Sequence, residues 1–312
     1  MKVRLRSALP TAVLAALLWC WGCAQAQPLF HAQAVETADG SSAMSVLVRQ
    51  ALVPPLRYRV VYIPGSGCSG LSAVADRMFR GLLHGQILVL QKPGVQLDAG
   101  PAPSHCSDAF VQADDMRTWL TQAKAGLQTL ESVPPLPLLM VGVSEGAELL
   151  PFLAASLPDV AALLMISGTG LDPLEAGAMQ AARLGETRQW QALARAQASS
   201  LPDEHLHDGR TLRYWRSLWD WHSEAALMAL PMPLMQVWGD ADALLPPRAY
   251  ERFAERAQRR AGGYCRLRFV GADHGLQAAG VDGLQKVWAI VERWGRQPTA
   301  GICASLSAAT EG

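Results

Sequence analysis

The pentapeptide Gly142-Val143-Ser144-Glu145-Gly146 is where this chain can do covalent chemistry. An apolar run of strand length stops at Gly142, and a helical pattern starts right after Ser144. A serine on such a sharp strand-to-helix turn, flanked by residues small enough for a close approach, presents its hydroxyl clear of the sheet. The N–H groups that open the helix can then stabilise a developing oxyanion. A serine hydroxyl is a weak nucleophile, so it needs a base within hydrogen-bond reach and an acid to orient that base. Both follow in the chain. Gly239-Asp240-Ala241-Asp242 closes one apolar run, and Gly271-Ala272-Asp273-His274-Gly275 closes another. A plain small-residue turn is the bland alternative for the pentapeptide alone; it loses ground once an acid and a histidine arrive in order, each just after a strand.

The surrounding pattern alternates strands and helices. Strands are expected at 44–51, 57–63, 87–90, 137–142 and 159–166, with helices at 71–83 and 108–131 between them. Asp108 is the expected N-cap of the second helix and Pro134-Pro135 its stop. The loop 91–107 carries His105, which reads as solvated. After the buried strand ending at Ile63 comes Pro64-Gly65-Ser66-Gly67-Cys68-Ser69-Gly70, whose glycines let backbone N–H groups turn inward as half of an oxyanion hole. Its spacing is not that of a phosphate-binding loop. This rhythm predicts an α/β class with a mostly parallel sheet covered by helices on both faces. Ligands bind at the carboxyl ends of such strands, where Ser66, Ser144 and the Ser167-Gly168-Thr169-Gly170 loop fall.

Residues 171–230 interrupt the rhythm and read as a small helical cap. Within Tyr214 to His222, the spacing puts Trp215, Trp219 and His222 on one helical face, either as the apolar wall of a substrate pocket or as ordinary packing. His205 and His207 form an isolated H-x-H near acidic residues, a pattern more usual on a surface than around a metal. Strands at 233–238 and 266–270 and helices at 248–261 and 284–294 complete the pattern. The tail after Gln297 is expected to be loose unless Cys303 is bridged.

Taken together, these motifs resemble the α/β-hydrolase superfamily over most of the chain. Pro64-Gly65-Ser66-Gly67 stands in the place of the oxyanion loop, the Ser144 pentapeptide in that of the nucleophile elbow, 233–246 in that of the acid-bearing strand and loop, and Gly271 to His274 in that of the histidine loop. The resemblance implies Ser144 as nucleophile and His274 as general base. It favours Asp242 over Asp240 as the acid, because family acids commonly sit three residues after the strand-ending glycine and four before a proline; Gly239 and Pro246 fit Asp242. Asp240 is then a turn former, and Asp273 shapes the histidine loop. The implied oxyanion donors are the N–H of Glu145 and that of Ser66 or Gly67. Pro64 departs from a frequent histidine, which matters little for backbone donors. Glu145 matters more: a carboxylate facing the oxyanion would oppose catalysis, so its side chain must point away or be paired with an Arg or Lys.

The N-terminus combines Lys2, Arg4 and Arg6, an apolar segment from Ala8 to Cys23, and Ala24-Gln25-Ala26, which reads as a secretory signal cut after Ala26. Its apolar core is shorter than the ~20 residues of a spanning helix. Lipidation at Cys23 is disfavoured by Cys20 and Trp21 before it. Residues 27–312 fit one large α/β domain. Cys68, Cys106, Cys265 and Cys303 remain in an exported chain and allow three pairings. Cys68–Cys106, tying two loops at one end of the sheet, and Cys265–Cys303, pinning the tail to a strand, is the pairing expected. With 27 basic and 27 acidic residues and no basic block, neither nucleic acid nor an anionic membrane surface is implied as partner. The resulting expectation is an exported, periplasmic or secreted serine hydrolase. It acts on a small-molecule acyl substrate, with a carboxylic ester preferred, and needs no metal or organic cofactor. A peptidase or amidase on the same scaffold and a non-catalytic binding protein are the alternatives.

Overall fold

The structure is a computed structural model that describes residues 29–36, 43–95, 106–127 and 136–310. The expected signal segment with Cys23, His105 and the Pro134-Pro135 stop lie outside the described residues.

Eight strands form one sheet. In chain order they begin with β1 (His31–Glu36), β2 (Ala43–Arg49), β3 (Tyr58–Ile63), β4 (Gly85–Leu90), β5 (Leu138–Val143) and β6 (Val160–Ile166). A two-residue hairpin, β7 (Leu206–His207) and β8 (Arg210–Thr211), stands apart, and β9 (Leu234–Gly239) and β10 (Tyr264–Phe269) complete the sheet. Its spatial order is β1-β2-β4-β3-β5-β6-β9-β10. From β4 to β10 every neighbour is parallel; β2 runs antiparallel to both β1 and β4. Strands buried on both faces need continuous apolar runs, and every residue of β3 and β4 is buried.

Side chains alternate between two cores. Val61, Ile63 and Met140 face one that Trp119, Leu149, Leu150 and Phe253 complete. Val60, Tyr62, Leu139 and Val141 face the other, closed by Phe79, Trp288, Val291 and Trp294. The first face is therefore covered by α3 (Met116–Leu127), α4 (Gly146–Ala154) and α9 (Pro247–Ala257), the second by α1 (Ala75–Met78), α10 (Gly283–Trp294) and α11 (Ile302–Thr310). Between β6 and β9 the chain inserts α5 (Pro173–Leu184), α6 (Thr187–Gln197), α7 (Leu212–Trp219) and α8 (Ser223–Ala229).

Several expectations are corrected. The edge strand β1 is not predicted: its residues 31–34 are exposed, so it lacks the apolar signature of its neighbours. The helix expected over 71–83 shrinks to the single turn of α1. The helix expected over 108–131 is two helices, α2 (Asp108–Ala113) and α3. Ser107, not Asp108, caps α2 by accepting from the Phe110 N–H. The break falls at Asp114, whose backbone is extended (ψ 110°) and whose carboxylate is drawn into a buried ion-pair cluster. Asp115 then accepts from Thr118 N–H at 2.7 Å as α3 begins.

The described cysteines pair as Cys68–Cys106 and Cys265–Cys303. The second bond holds the tail, which forms α11 with Ile302 buried rather than running loose. Among the described residues, no helix is long and apolar enough to cross a membrane.

Candidate active site

Ser144 occupies the turn between β5 and α4 with φ 51°, a left-handed conformation that costs a non-glycine residue free energy and persists only where surroundings impose it. The flanking glycines are required by space. A Cβ on Gly146 would lie 2.2 Å from Pro64 O, and one on Gly142 would lie 2.7 Å from Ala147 Cα. The turn is tied to the next strand by the Ser144 N–H donating to Ile166 O at 2.9 Å.

Asp242 and His274 follow β9 and β10, and they meet: His274 Nδ1 lies 2.7 Å from Asp242 Oδ2. The Asp242 side chain is removed from solvent and every oxygen is used. Oδ1 accepts from the N–H groups of Leu244 (2.8 Å) and Leu245 (3.0 Å), and Oδ2 also accepts the Tyr250 hydroxyl at 2.6 Å. Burial opposes its charge, but hydrogen bonds from His274, Tyr250 and Leu245 outweigh burial and hold the carboxyl below the ordinary range. An ionised carboxylate only accepts, so the imidazole proton sits on Nδ1 and Nε2 is free to receive one. Asp240 does not reach the histidine. It accepts from Gly271 N–H at 2.6 Å and faces Arg268, which is turn-forming work. Asp273 accepts from Gln277 N–H at 2.8 Å within the histidine loop.

A second tether was not foreseen. Ser167, which follows β6 at φ 49°, donates its hydroxyl to the carbonyl oxygen of His274 at 2.6 Å. Since Ile166 O holds the Ser144 N–H, adjacent residues at the end of β6 hold both the serine turn and the histidine loop.

Glu145 turns away from the serine into a buried cluster. Lys92 Nζ lies 2.5 Å from Glu145 Oε2 and 2.8 Å from Asp114 Oδ1. Arg210 reaches Asp114 Oδ2 at 2.5 Å and Glu145 Oε1 at 3.5 Å, and Tyr214 donates its hydroxyl to Glu145 Oε1. Two cations match two anions. Burial works against ionising Glu145, yet Lys92, Arg210 and the hydrogen bonds to it hold its carboxyl below the ordinary range. Burial pushes Asp114 the other way. Lys92, Asp114 and Arg210 carry no local sequence signal, because their partners lie far along the chain.

Ser144 opens on a cavity of about 300 Å3. Its walls include Ser66, Glu148 and Thr169 from the sheet side and Trp190, Tyr214, Trp215 and Leu218 from the insertion. The expected shared face of Trp215, Trp219 and His222 does not exist. α7 ends at Trp219, and His222 lies beyond it, mostly exposed, with Nδ1 3.2 Å from Asp172. Trp215 lines the cavity; Trp219 lies behind it, stacked on Trp190 at 5.3 Å between ring centroids. Gly67, at φ 89°, lines a neighbouring hollow with Cys106 and Arg210. His205 is exposed and His207 faces Asp208. Among the described residues, no group of three His, Cys, Asp or Glu side chains could hold a metal ion.

No family model and no curated protein matches the chain. Solved structures do. Est1E from Butyrivibrio proteoclasticus, with ferulic acid bound, superposes with a TM-score of 0.59 at 17% identity, over 86% of this chain and 99% of that one. The esterase domain of a Rhodothermus marinus protein gives 0.54 at 17% identity, over 86% and 98%. A puromycin-hydrolyzing peptidase of Mycobacterium tuberculosis gives 0.55 at 15% identity, over 86% of this chain but 39% of that one. Identities this low speak for architecture, and the architecture agrees with the strand order and the serine turn described above: this chain is built on the α/β-hydrolase fold.

Proposed function

We propose that this chain is a serine hydrolase that cleaves small carboxylic esters through an acyl-enzyme, with Ser144, His274 and Asp242 as its triad and residues 171–230 as a cap over the site. The observation that carries the reading is the contact of His274 with the buried Asp242 at 2.7 Å, at the same carboxyl end of the sheet as a serine at φ 51° that opens on a cavity. Ser144 Oγ attacks the acyl carbonyl while its proton passes to His274 Nε2, and Asp242 stabilises the imidazolium. The imidazolium returns the proton to the departing alcohol oxygen. Water then repeats the sequence on the acyl-enzyme, releasing the acid and restoring Ser144. The tetrahedral oxyanion takes hydrogen bonds from the N–H of Glu145 and from the oxyanion loop. Ser66 lines the cavity with Ser144 and Gly67 does not, which favours the Ser66 N–H as the second donor.

An ester is preferred to a peptide. The chain matches nearly the whole length of the esterases but 39% of the peptidase. The cavity is small and walled largely by apolar and aromatic side chains. Export is part of the proposal, supported by two disulfides in one chain and by the leader-like N-terminus.

The deciding experiment is labelling with a fluorophosphonate, the modified peptide being mapped by mass spectrometry. Stoichiometric label on Ser144, lost in His274→Ala, is expected. A folded protein that takes no label is a binding protein on this scaffold, and the triad reading fails. Parallel assays of short-chain aryl esters and aminoacyl amides then separate esterase from peptidase.

A further inference from the structure

The cavity beside Ser144 is lined by Glu145, Arg210 and Tyr214, which belong to the buried ion-pair cluster, and by Glu148, a carboxyl outside that cluster that the proposed chemistry does not use. Glu148 lies in the first turn of α4 and lines the cavity with Trp190, Tyr214 and Trp215. Its Oε2 accepts the Ser223 hydroxyl, and among the described residues no Lys, Arg or His pairs with it. The neighbouring charges are already matched. Lys92 and Arg210 face Asp114 and Glu145. Arg210 also stacks over the Tyr214 ring, 4.0 Å from its centroid. Asp172 is engaged by His222 and by the Glu224 N–H at 2.9 Å.

Glu148 is thus an acid with no cation paired to it among the described residues, lining a cavity, and it feels the carboxylates of Asp172 and Glu145. Burial above all, then those anions, push its carboxyl up to about 8 against the opposing Ser223 hydrogen bond. Two indole rings, Trp190 and Trp215, share the wall. Rings of this kind attract a cation to their faces, and a carboxyl short of a counter-ion gains one when that cation arrives. Arg210 lines the same cavity, but it and Lys92 are matched by the two carboxylates Asp114 and Glu145.

We propose that this cavity takes the ammonium group of an amine-bearing ester, with Glu148 as its counter-ion and Trp190 and Trp215 as its wall. The inference names the substrate class of the site proposed above and rests on that reading for its chemistry, though not for its binding.

The test has two arms. The first compares turnover of p-nitrophenyl 4-(trimethylammonio)butyrate with that of its neutral isostere, p-nitrophenyl 5,5-dimethylhexanoate. The cationic ester is expected to be favoured about tenfold or more in kcat/KM, and Glu148→Gln to bring that ratio near one. The second arm titrates butyltrimethylammonium into the full protein at pH 7 by calorimetry in two buffers of different ionisation enthalpy. Binding is expected to release close to one proton per cation, because Glu148 must ionise to serve as counter-ion. Should Glu148→Gln fail to fold, proton release by the wild-type protein decides alone. Equal use of the two esters, or binding without proton release, overturns the assignment. If neither ester is cleaved and Ser144 takes no fluorophosphonate while the cation still binds with proton release, the hydrolase reading fails and the ammonium site stands.

Discussion

The Lys92 ammonium lies 2.5 Å from Glu145 Oε2, across 53 residues of chain, with side-chain exposures of 2% and 8%. The contact does two things at once. It neutralises the carboxylate adjacent to the proposed nucleophile, and it fastens the start of α4 to the end of β4. Removing one partner of a buried pair leaves the other charge uncompensated. Lys92→Met is therefore expected to lower the unfolding free energy by about 3–5 kcal/mol in urea titrations. Adding Glu145→Gln to Lys92→Met should restore most of that loss. A single variant as stable as the wild-type protein would show that the pair contributes nothing net.

Asp242→Asn keeps the shape of the acid but turns an acceptor into a partial donor, so His274 no longer has to carry its proton on Nδ1. With Nε2 protonated instead, the imidazole cannot receive the Ser144 proton. A fall in kcat on the order of 10^4-fold with little change in KM is expected, read from steady-state hydrolysis of an aryl ester. Asp240→Asn, which touches the Gly271 turn and not the histidine, should stay within about a factor of three of wild type, as surface polar changes do. Equal losses in both variants would dissolve the distinction between the two acids.

What could be read from the sequence has a physical boundary. The serine turn, the acid loop and the histidine loop each close an apolar run, so local pattern brings out Ser144, His274 and the two acids Asp240 and Asp242 as candidates, and the family resemblance chooses Asp242. The parallel core from β3 to β10 was legible for the same reason. Tyr250, Ser167 and Lys92 were not, because each acts through a partner eight, 107 or 53 residues away, and nothing local marks such contacts. The long helix expected from residue 108 fails at Asp114 because an ion-pair cluster overrides helical propensity there. His222 fails similarly: a helical wheel drawn through residues 215–222 assumes a helix that stops at Trp219. The exposed edge strand β1 escapes because its pairing with β2 leaves little apolar pattern to see.

The carboxyls of the site predict opposite pH dependences. Asp242 and Glu145 are held below the ordinary range, so their contribution is complete above the unfolded-state value and is lost as pH falls through the folded one. Glu148 has its carboxyl raised from 4.5 to about 8, so between those values the folded chain binds a proton that the unfolded chain has released. Wild-type stability therefore declines as pH rises through that window. Glu148→Gln removes this titration, and melting curves should show the variant gaining on wild type from pH ~5 to ~8 and then running parallel to it. A constant difference across that range would mean that Glu148 ionises normally.

The two disulfides join cysteines at the same separation, 38 residues, so a chain-entropy treatment assigns each about 4 kcal/mol. They hold different things. Cys265–Cys303 pins α11 against β10, remote from Ser144, whereas Cys68 directly follows Gly67 in the proposed oxyanion loop and Cys106 precedes α2. Cutting either bond releases a loop of similar size, so Cys265→Ala/Cys303→Ala and Cys68→Ala/Cys106→Ala should cost comparable stability in urea. Activity should separate them. Loss of the first bond leaves kcat near wild type at temperatures where the protein stays folded. Loss of the second frees the segment that carries the Ser66 N–H, and a misplaced oxyanion donor costs kcat on the order of a hundredfold, with KM little changed. Equal kcat in the two double variants would mean that the oxyanion loop is held by its own packing, and that the Cys68–Cys106 bond serves stability alone.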